Sequence, residues 1–183
     1  MKKNKILIIF LVIFFSIDAF CGWWFASYYL PKFAPSEDHV ISVDRIVVEK
    51  AIRKMTLLSK EKVVEVFDIG LGFNPTGDKE KEGDGKTPEG RYSIVEKNDK
   101  SKYHLSLKIS YPDKQDVLTA RKKQLNPGGD IMIHGYPNAV PTWLGDMILK
   151  NKDWTRGCIA VSNEEIEKIW SYTHIGTIID ILP

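Results

Sequence analysis

Thr155-Arg156-Gly157-Cys158-Ile159 sets a thiol behind a glycine, and Ile131-Met132-Ile133-His134-Gly135 ends an apolar run on an imidazole 24 residues upstream of that thiol. A cysteine attacks as its thiolate, so a working site needs a base in reach, a group that orients the base, and N–H donors for the oxyanion. Each part has a candidate here. His134 can take the Cys158 proton or form an imidazolium–thiolate pair. The Gly135 carbonyl can hold the second ring nitrogen and fix the tautomer without a carboxylate. Gly157 allows close approach of backbone to substrate, which makes its amide and that of Cys158 candidate oxyanion donors. Arg156 brings positive charge that would lower the thiol pKa or grip a substrate carboxylate. Thr155 and Tyr136 join Arg156 as expected substrate contacts.

Packing competes with this reading, because a cysteine at the start of an apolar strand and a histidine after one are both commonly structural. An activated Cys158 would alkylate fast at neutral pH and a merely buried one would not. Zinc would require three or four ligands, and His39, His104 and His174 have no ligand spacing with Cys158. No metal and no organic cofactor is expected.

The elements that must position these residues follow from the rest of the chain. Its 183 residues suit one domain plus an N-terminal extra, and 43% apolar content supports a core. Net charge is +2, with 26 basic against 24 acidic residues, which gives no electrostatic case for nucleic-acid binding.

Lys2, Lys3 and Lys5 precede Ile6–Ile17, in which only Ser16 is not a large apolar residue. After Asp18, an aromatic-rich stretch resumes through Trp23, Trp24, Tyr28 and Tyr29. Residues 6–30 are long enough to cross a bilayer, for which about 20 residues suffice. One Asp near the centre costs roughly 2.5–3.5 kcal/mol, against roughly 3–7 from the strong apolar residues. The lysines hold the N-terminus inside, and the Trp/Tyr cluster suits the outer interface. The other reading is a cleaved signal peptide, with Ile6–Ile17 as its apolar region and Ala19-Phe20-Cys21 as the processing site. Either way residues 31–183 are expected outside the cytoplasm, where Cys158 has no second cysteine in its own domain to bridge.

Residues 31–44 read as a linker, with Pro31, Pro35, Ser36, Glu37 and Asp38 and little periodicity. From Arg45 the pattern is of short strands: Ile46–Val48, Met55–Leu58, Val63–Phe67, Tyr92–Val95 and His104–Ile109, the last alternating cleanly. Asp130–His134 and Cys158–Val161 look like buried core strands, and Thr177–Leu182 closes the series. Helical signal is sparse. Ser162 with Glu165 forms a capping-box pattern ahead of Ile166, Ile169 and Trp170. Short helices are expected around Gln115–Lys123 and Trp143–Leu149. The expected fold is mostly β, a sandwich or barrel with a few short helices.

Six glycines fall in Gly70–Gly90, and Gly85-Lys86-Thr87 invites a phosphate-loop reading. That motif needs a glycine at position 80, which is Glu80, and Asp78, Glu82 and Asp84 would repel a nucleotide. A turn-rich connection between strands fits better.

With these residues in view, Ile133-His134-Gly135 and Thr155-Arg156-Gly157-Cys158-Ile159 together resemble the signature of the L,D-transpeptidase catalytic family of bacterial cell-wall enzymes. Asp84–Tyr92, His104–Pro112, Asn126–Asp130 and Gly176–Ile179 resemble the same family, in its order, so the likeness runs from about Arg45 to Leu182. The resemblance implies a catalytic domain over residues 45–183, with Cys158 as nucleophile and His134 as proton acceptor and donor. It also implies peptidoglycan stem peptides as substrates, an amine on another stem or on a wall-attached protein as acceptor, and an envelope location. Water in place of the amine would give a carboxypeptidase, or an amidase that releases wall-linked protein. A catalytically silent wall-binding module is the third option, and the presence of both His134 and Cys158 speaks against it. Two departures stand out. The separation of His134 and Cys158 implies an insertion or lid over Tyr136–Trp154, and Arg156 stands where the family often has a second histidine. With no wall-binding repeat, membrane residues 6–30 would have to localise the domain.

Overall fold

The protein is described by a computed structural model over residues 41–183; the expected membrane segment and most of the expected linker lie outside the described residues. Among the described residues no helix is long and apolar enough to cross a membrane.

Eight strands form one mixed sheet in the order β3-β2-β1-β8-β4-β5-β6-β7. They are β1 (Arg45–Glu49), β2 (Lys54–Ser59), β3 (Lys62–Asp68), β4 (Gly90–Ser101), β5 (His104–Ile109), β6 (Met132–His134), β7 (Ile159–Ala160) and β8 (Ile178–Leu182). Among the described residues three short helices accompany them: α1 (Lys114–Lys122), α2 (Thr142–Ile148) and α3 (Asn163–Tyr172). The mostly β architecture expected from the sequence is the one observed, a half-barrel sheet with minor helices.

Period-two alternation builds the core. Ile46 and Val48 on β1, Met55 and Leu57 on β2, and Ile179 and Ile181 on β8 are all buried, with the alternate residues turned to the other face. The last strand enters the middle of the sheet, parallel to β1 and antiparallel to β4. The long β4 serves both halves: Gly90–Ser93 pairs β8, while Ile94 onward pairs β5. Between Ile94 and Glu96 the register slips and Val95 is the extra residue, a bulge that bends the sheet where one half passes into the other.

On β5, Leu107 and Ile109 are buried in the core, so Ser106 and Lys108 occupy the opposite face. α3 lays Ile166 and Ile169 onto the sheet and starts at the Ser162/Glu165 capping box the sequence suggests. α1 carries an equivalent box at Asp113/Asp116. Two expected core strands are shorter than read. Asp130 takes a left-handed φ of 56°, which delays β6 to Met132, and β7 is confined to Ile159–Ala160.

The glycine-rich connection from Ile69 to Glu89 is organised by two buried lysines. Lys50 Nζ donates to the carbonyls of Gly77 (2.7 Å) and Thr87 (2.9 Å) and to Glu89 (2.8 Å). Lys79 Nζ pairs with Asp84 at 2.8 Å. The Asp84 carboxylate also accepts the backbone N–H groups of Glu80 (2.9 Å), Lys81 (3.0 Å) and Lys86 (3.0 Å). An internal carboxylate thus fills the ring of amides in which a nucleotide phosphate would have to sit.

Burial of Asp84 works against its charge, but Lys79 and the three amides outweigh it and hold its pKa at about 2. A depressed carboxyl stabilises the fold above its unfolded value of 3.8, and that contribution is lost as pH falls toward 2. Asp84→Asn should therefore lower the melting temperature at neutral pH, with the gap to the parent protein closing below about pH 3. Melting curves across the acid range check this.

Candidate active site

Parallel pairing of β6 with β7 puts Ile133 opposite Ile159 and His134 opposite Ala160. Ile133 and Ile159 point into the core. His134, one residue after the first, and Cys158, one before the second, therefore share the opposite face. The fold thus sets the imidazole and the thiol on one face of a strand pair.

His134 is buried at 3% exposure, and its Nδ1 lies 2.7 Å from the Gly135 carbonyl oxygen. A carbonyl only accepts, so Nδ1 carries the proton and Nε2 keeps the lone pair. The glycine is required by crowding, because a Cβ at position 135 would sit 2.6 Å from Asn163 Oδ1. Burial pulls the imidazole pKa down, and the Gly135 bond offsets this only in part. The ring lies at 4.5 Å from Tyr103 and meets Trp154 edge-on at 5.6 Å, centroid to centroid. Neither aromatic stands out in the sequence. Trp154 Nε1 and Ser106 Oγ, the latter directly opposite His134 in the strand register, are buried with no hydrogen-bond partner among the described residues. Unpaired polar atoms of this kind are uncommon in structural packing and frequent at working sites.

The cysteine turn is knit from within. Thr155 Oγ1 accepts the Gly157 N–H at 3.1 Å and donates to the Cys158 carbonyl at 2.7 Å. Gly157 has φ 129°, and a Cβ there would lie 2.6 Å from the Lys86 carbonyl oxygen, so only glycine fits against the 69–89 connection. That connection zips along the turn through Gly70 with Ala160 and Gly72 with Thr155. Asp153 anchors the approach, accepting from the Leu71 amide at 2.9 Å and pairing with Arg53 at 2.8 Å.

Cys158 Sγ is half-buried and donates to the Asp130 carbonyl at 3.5 Å. Burial raises the thiol pKa, the Met132 backbone amide lowers it, the Asp130 carboxylate raises it and Lys79 lowers it. Burial thus disfavours the charged form of both groups, the thiolate and the imidazolium, in the substrate-free protein.

Several sequence expectations need correction. Arg156 is exposed and the cation that lowers the thiol pKa is Lys79, which leaves for Arg156 only the other expected role, contact with a substrate carboxylate. Thr155, expected at the substrate, is 4% exposed with its hydroxyl consumed by the turn. Tyr136 is 1% exposed, donates its hydroxyl to Asp146 at 3.0 Å and packs beneath Gly145, so it holds α2 down instead of meeting substrate. The Gly157 N–H, expected to face an oxyanion, is already given to Thr155. The Tyr136–Trp154 segment does carry a helix, α2, whose Trp143 and Met147 lie exposed. Asp130 and Lys108 were not among the expected site residues. Their signal was the strand parity that sets Lys108 on the His134 face, together with an aspartate directly after Gly128-Gly129.

The sequence profile of the L,D-transpeptidase catalytic domain (YkuD) matches residues 43–181. No curated protein sequence matches the chain. Among solved structures, the helical cell shape determining protein Pgp2 from Campylobacter jejuni is similar at 25% identity and a TM-score of 0.57, covering 79% of this chain and 51% of that one. Bd1075 from Bdellovibrio bacteriovorus is similar at 27% identity and a TM-score of 0.53, covering 80% of this chain and 50% of that one. The chain spans about half the length of both. With its thiol and imidazole on one sheet face and the domain matched almost end to end, this chain belongs to the L,D-transpeptidase catalytic-domain family.

Proposed function

We propose that residues 45–183 form an L,D-transpeptidase that carries a stem peptide on Cys158 as a thioester and passes it to an amine. The observation that carries this reading is the 2.7 Å bond from His134 Nδ1 to the Gly135 carbonyl, which leaves Nε2 as a base on the face that Cys158 shares. Binding of a stem peptide draws the thiol away from the Asp130 carbonyl. The Sγ proton passes to His134 Nε2 as sulfur attacks the carbonyl between the third residue of the stem and its terminal D-residue. The Cys158 N–H supplies oxyanion stabilisation, joined by that of Gly157 if it exchanges its bond to Thr155. Collapse of the intermediate breaks the amide, and the departing amine takes the proton from His134. An acceptor amine then attacks the thioester, His134 removes its proton, and the thiol is restored.

A thioester suits this reaction because it survives long enough for an amine to compete with water. The acceptor is an amine of a neighbouring stem or of a wall-attached protein, and residues 6–30 hold the domain at the outer face of the membrane. Hydrolysis with the same residues is the competing outcome, and the acceptor experiment below decides between them.

Intact-mass analysis with a disaccharide-tetrapeptide should show a covalent adduct and free D-amino acid, both absent in Cys158→Ala. Activity retained in Cys158→Ala would overturn the mechanism. Addition of an amine acceptor should convert the adduct to cross-linked product; formation of free acid alone would make the enzyme a hydrolase. Gly157→Ala, which must displace the Lys86 carbonyl and with it the turn that carries the Cys158 N–H, should reduce kcat by on the order of 100-fold, the scale for an oxyanion donor moved out of place. Steady-state kinetics on folded protein, checked by its melting curve, tests that value.

A further inference from the structure

Cys158 is linked to a charged pair that the mechanism above does not use. The thiol donates to the backbone carbonyl of Asp130, and the carboxylate of that same residue receives Lys108 Nζ at 2.5 Å. Lys108 sits on β5 opposite Met132, the residue whose amide faces the sulfur. Strand parity places Lys108, Met132, His134 and Cys158 on one face, so the pair lies beside the thiol by construction of the sheet. The left-handed φ of 56° at Asp130 turns its carbonyl to the sulfur and leaves its carboxylate outside, at 76% side-chain exposure, where Lys108 meets it.

We propose that the Lys108–Asp130 pair sets the charge felt by Cys158: Asp130 opposes thiolate formation, and Lys108 cancels that opposition. The proposal rests on Cys158 being the nucleophile. The remaining groups around the thiol are His134 from β6, Lys79 from the 69–89 connection, and Arg156, exposed on the cysteine's own turn. Glu96 on β4 stands opposite Lys108 and draws on the same ammonium. Lys79 is committed to Asp84. Lys108 is thus the cation directly bonded to the one carboxylate that acts against the thiolate. Both members of the pair are solvent-accessible, so the effect is modest and sensitive to salt.

The test is the rate of iodoacetamide alkylation of the Cys158-containing peptide in the full-length chain, followed by mass spectrometry from about pH 6 to 10, a range spanning ordinary thiol ionisation. The variants are Lys108→Gln, Asp130→Asn and the double substitution; Asn tolerates the left-handed backbone at 130. At neutral pH Asp130→Asn should react fastest and Lys108→Gln slowest. The parent and the double variant should fall together between them. Each single step is expected to be about two- to threefold, the scale of one solvent-screened charge, and to shrink at high salt. A merely structural role would slow or speed both single variants in the same direction. That result, or unchanged rates in both, would overturn the proposal. The measurement needs no stem peptide. The rate order with no acyl adduct would sink the proposed function alone, and an adduct without the rate order would sink this proposal alone.

Discussion

The parallel pairing of Ile133 with Ile159 is the constraint on which the site depends. Antiparallel neighbours can be joined by two residues, but parallel neighbours require a crossover of a dozen or more. The 24-residue separation of His134 and Cys158 is that crossover, with α2 inside it. The segment expected as an insertion or lid is also the connection that lets two short strands run side by side in the same direction. Strand parity then puts the imidazole and the thiol on one face. Its two ends are pinned: Asn138 bonds to Ser101 and His104, and Asp153 to Leu71 and Arg53.

Everything else around the pair limits its freedom. The imidazole is fixed by its own following carbonyl and by two aromatic rings. The cysteine turn is fixed by one threonine hydroxyl that both accepts and donates. The 69–89 connection, held by Lys50 and by Lys79 with Asp84, presses a backbone carbonyl against Gly157. In such a dry setting an ion pair is costly to keep in the absence of substrate, and burial favours the neutral form of both partners. The site is thus held in geometry, with burial favouring its uncharged form. In the proposed mechanism the substrate draws the thiol from Asp130 and develops charge where the turn can meet it.

Much of this was legible in the sequence because it is local. The alternation of His104–Ile109, the Ser162/Glu165 cap and the bond from His134 to the next carbonyl each lie within a few residues of chain. The chemistry-bearing pair was visible by its residue types. What escaped depends on partners distant in sequence. Thr155 and Tyr136 look available to substrate until their hydroxyls are traced to Cys158 and Asp146. Arg156 looks like the cation for the thiol until strand parity brings in Lys108 and loop geometry brings in Lys79. The hairpin at Lys60-Glu61, with φ 49° and 62°, uses left-handed residues that no glycine or asparagine announces.

The claim that the pair stands ready but uncharged is tested most directly by ultraviolet titration of the thiolate, as the difference between the protein and its Cys158→Ala variant. Without substrate, thiolate absorbance should be missing at neutral pH and appear only above the ordinary cysteine range, since burial raises this thiol. His134→Ala should leave the neutral-pH spectrum unchanged. Thiolate absorbance present at neutral pH in the parent protein and lost in His134→Ala would contradict the account, because it would mean that a thiolate–imidazolium pair exists before substrate arrives.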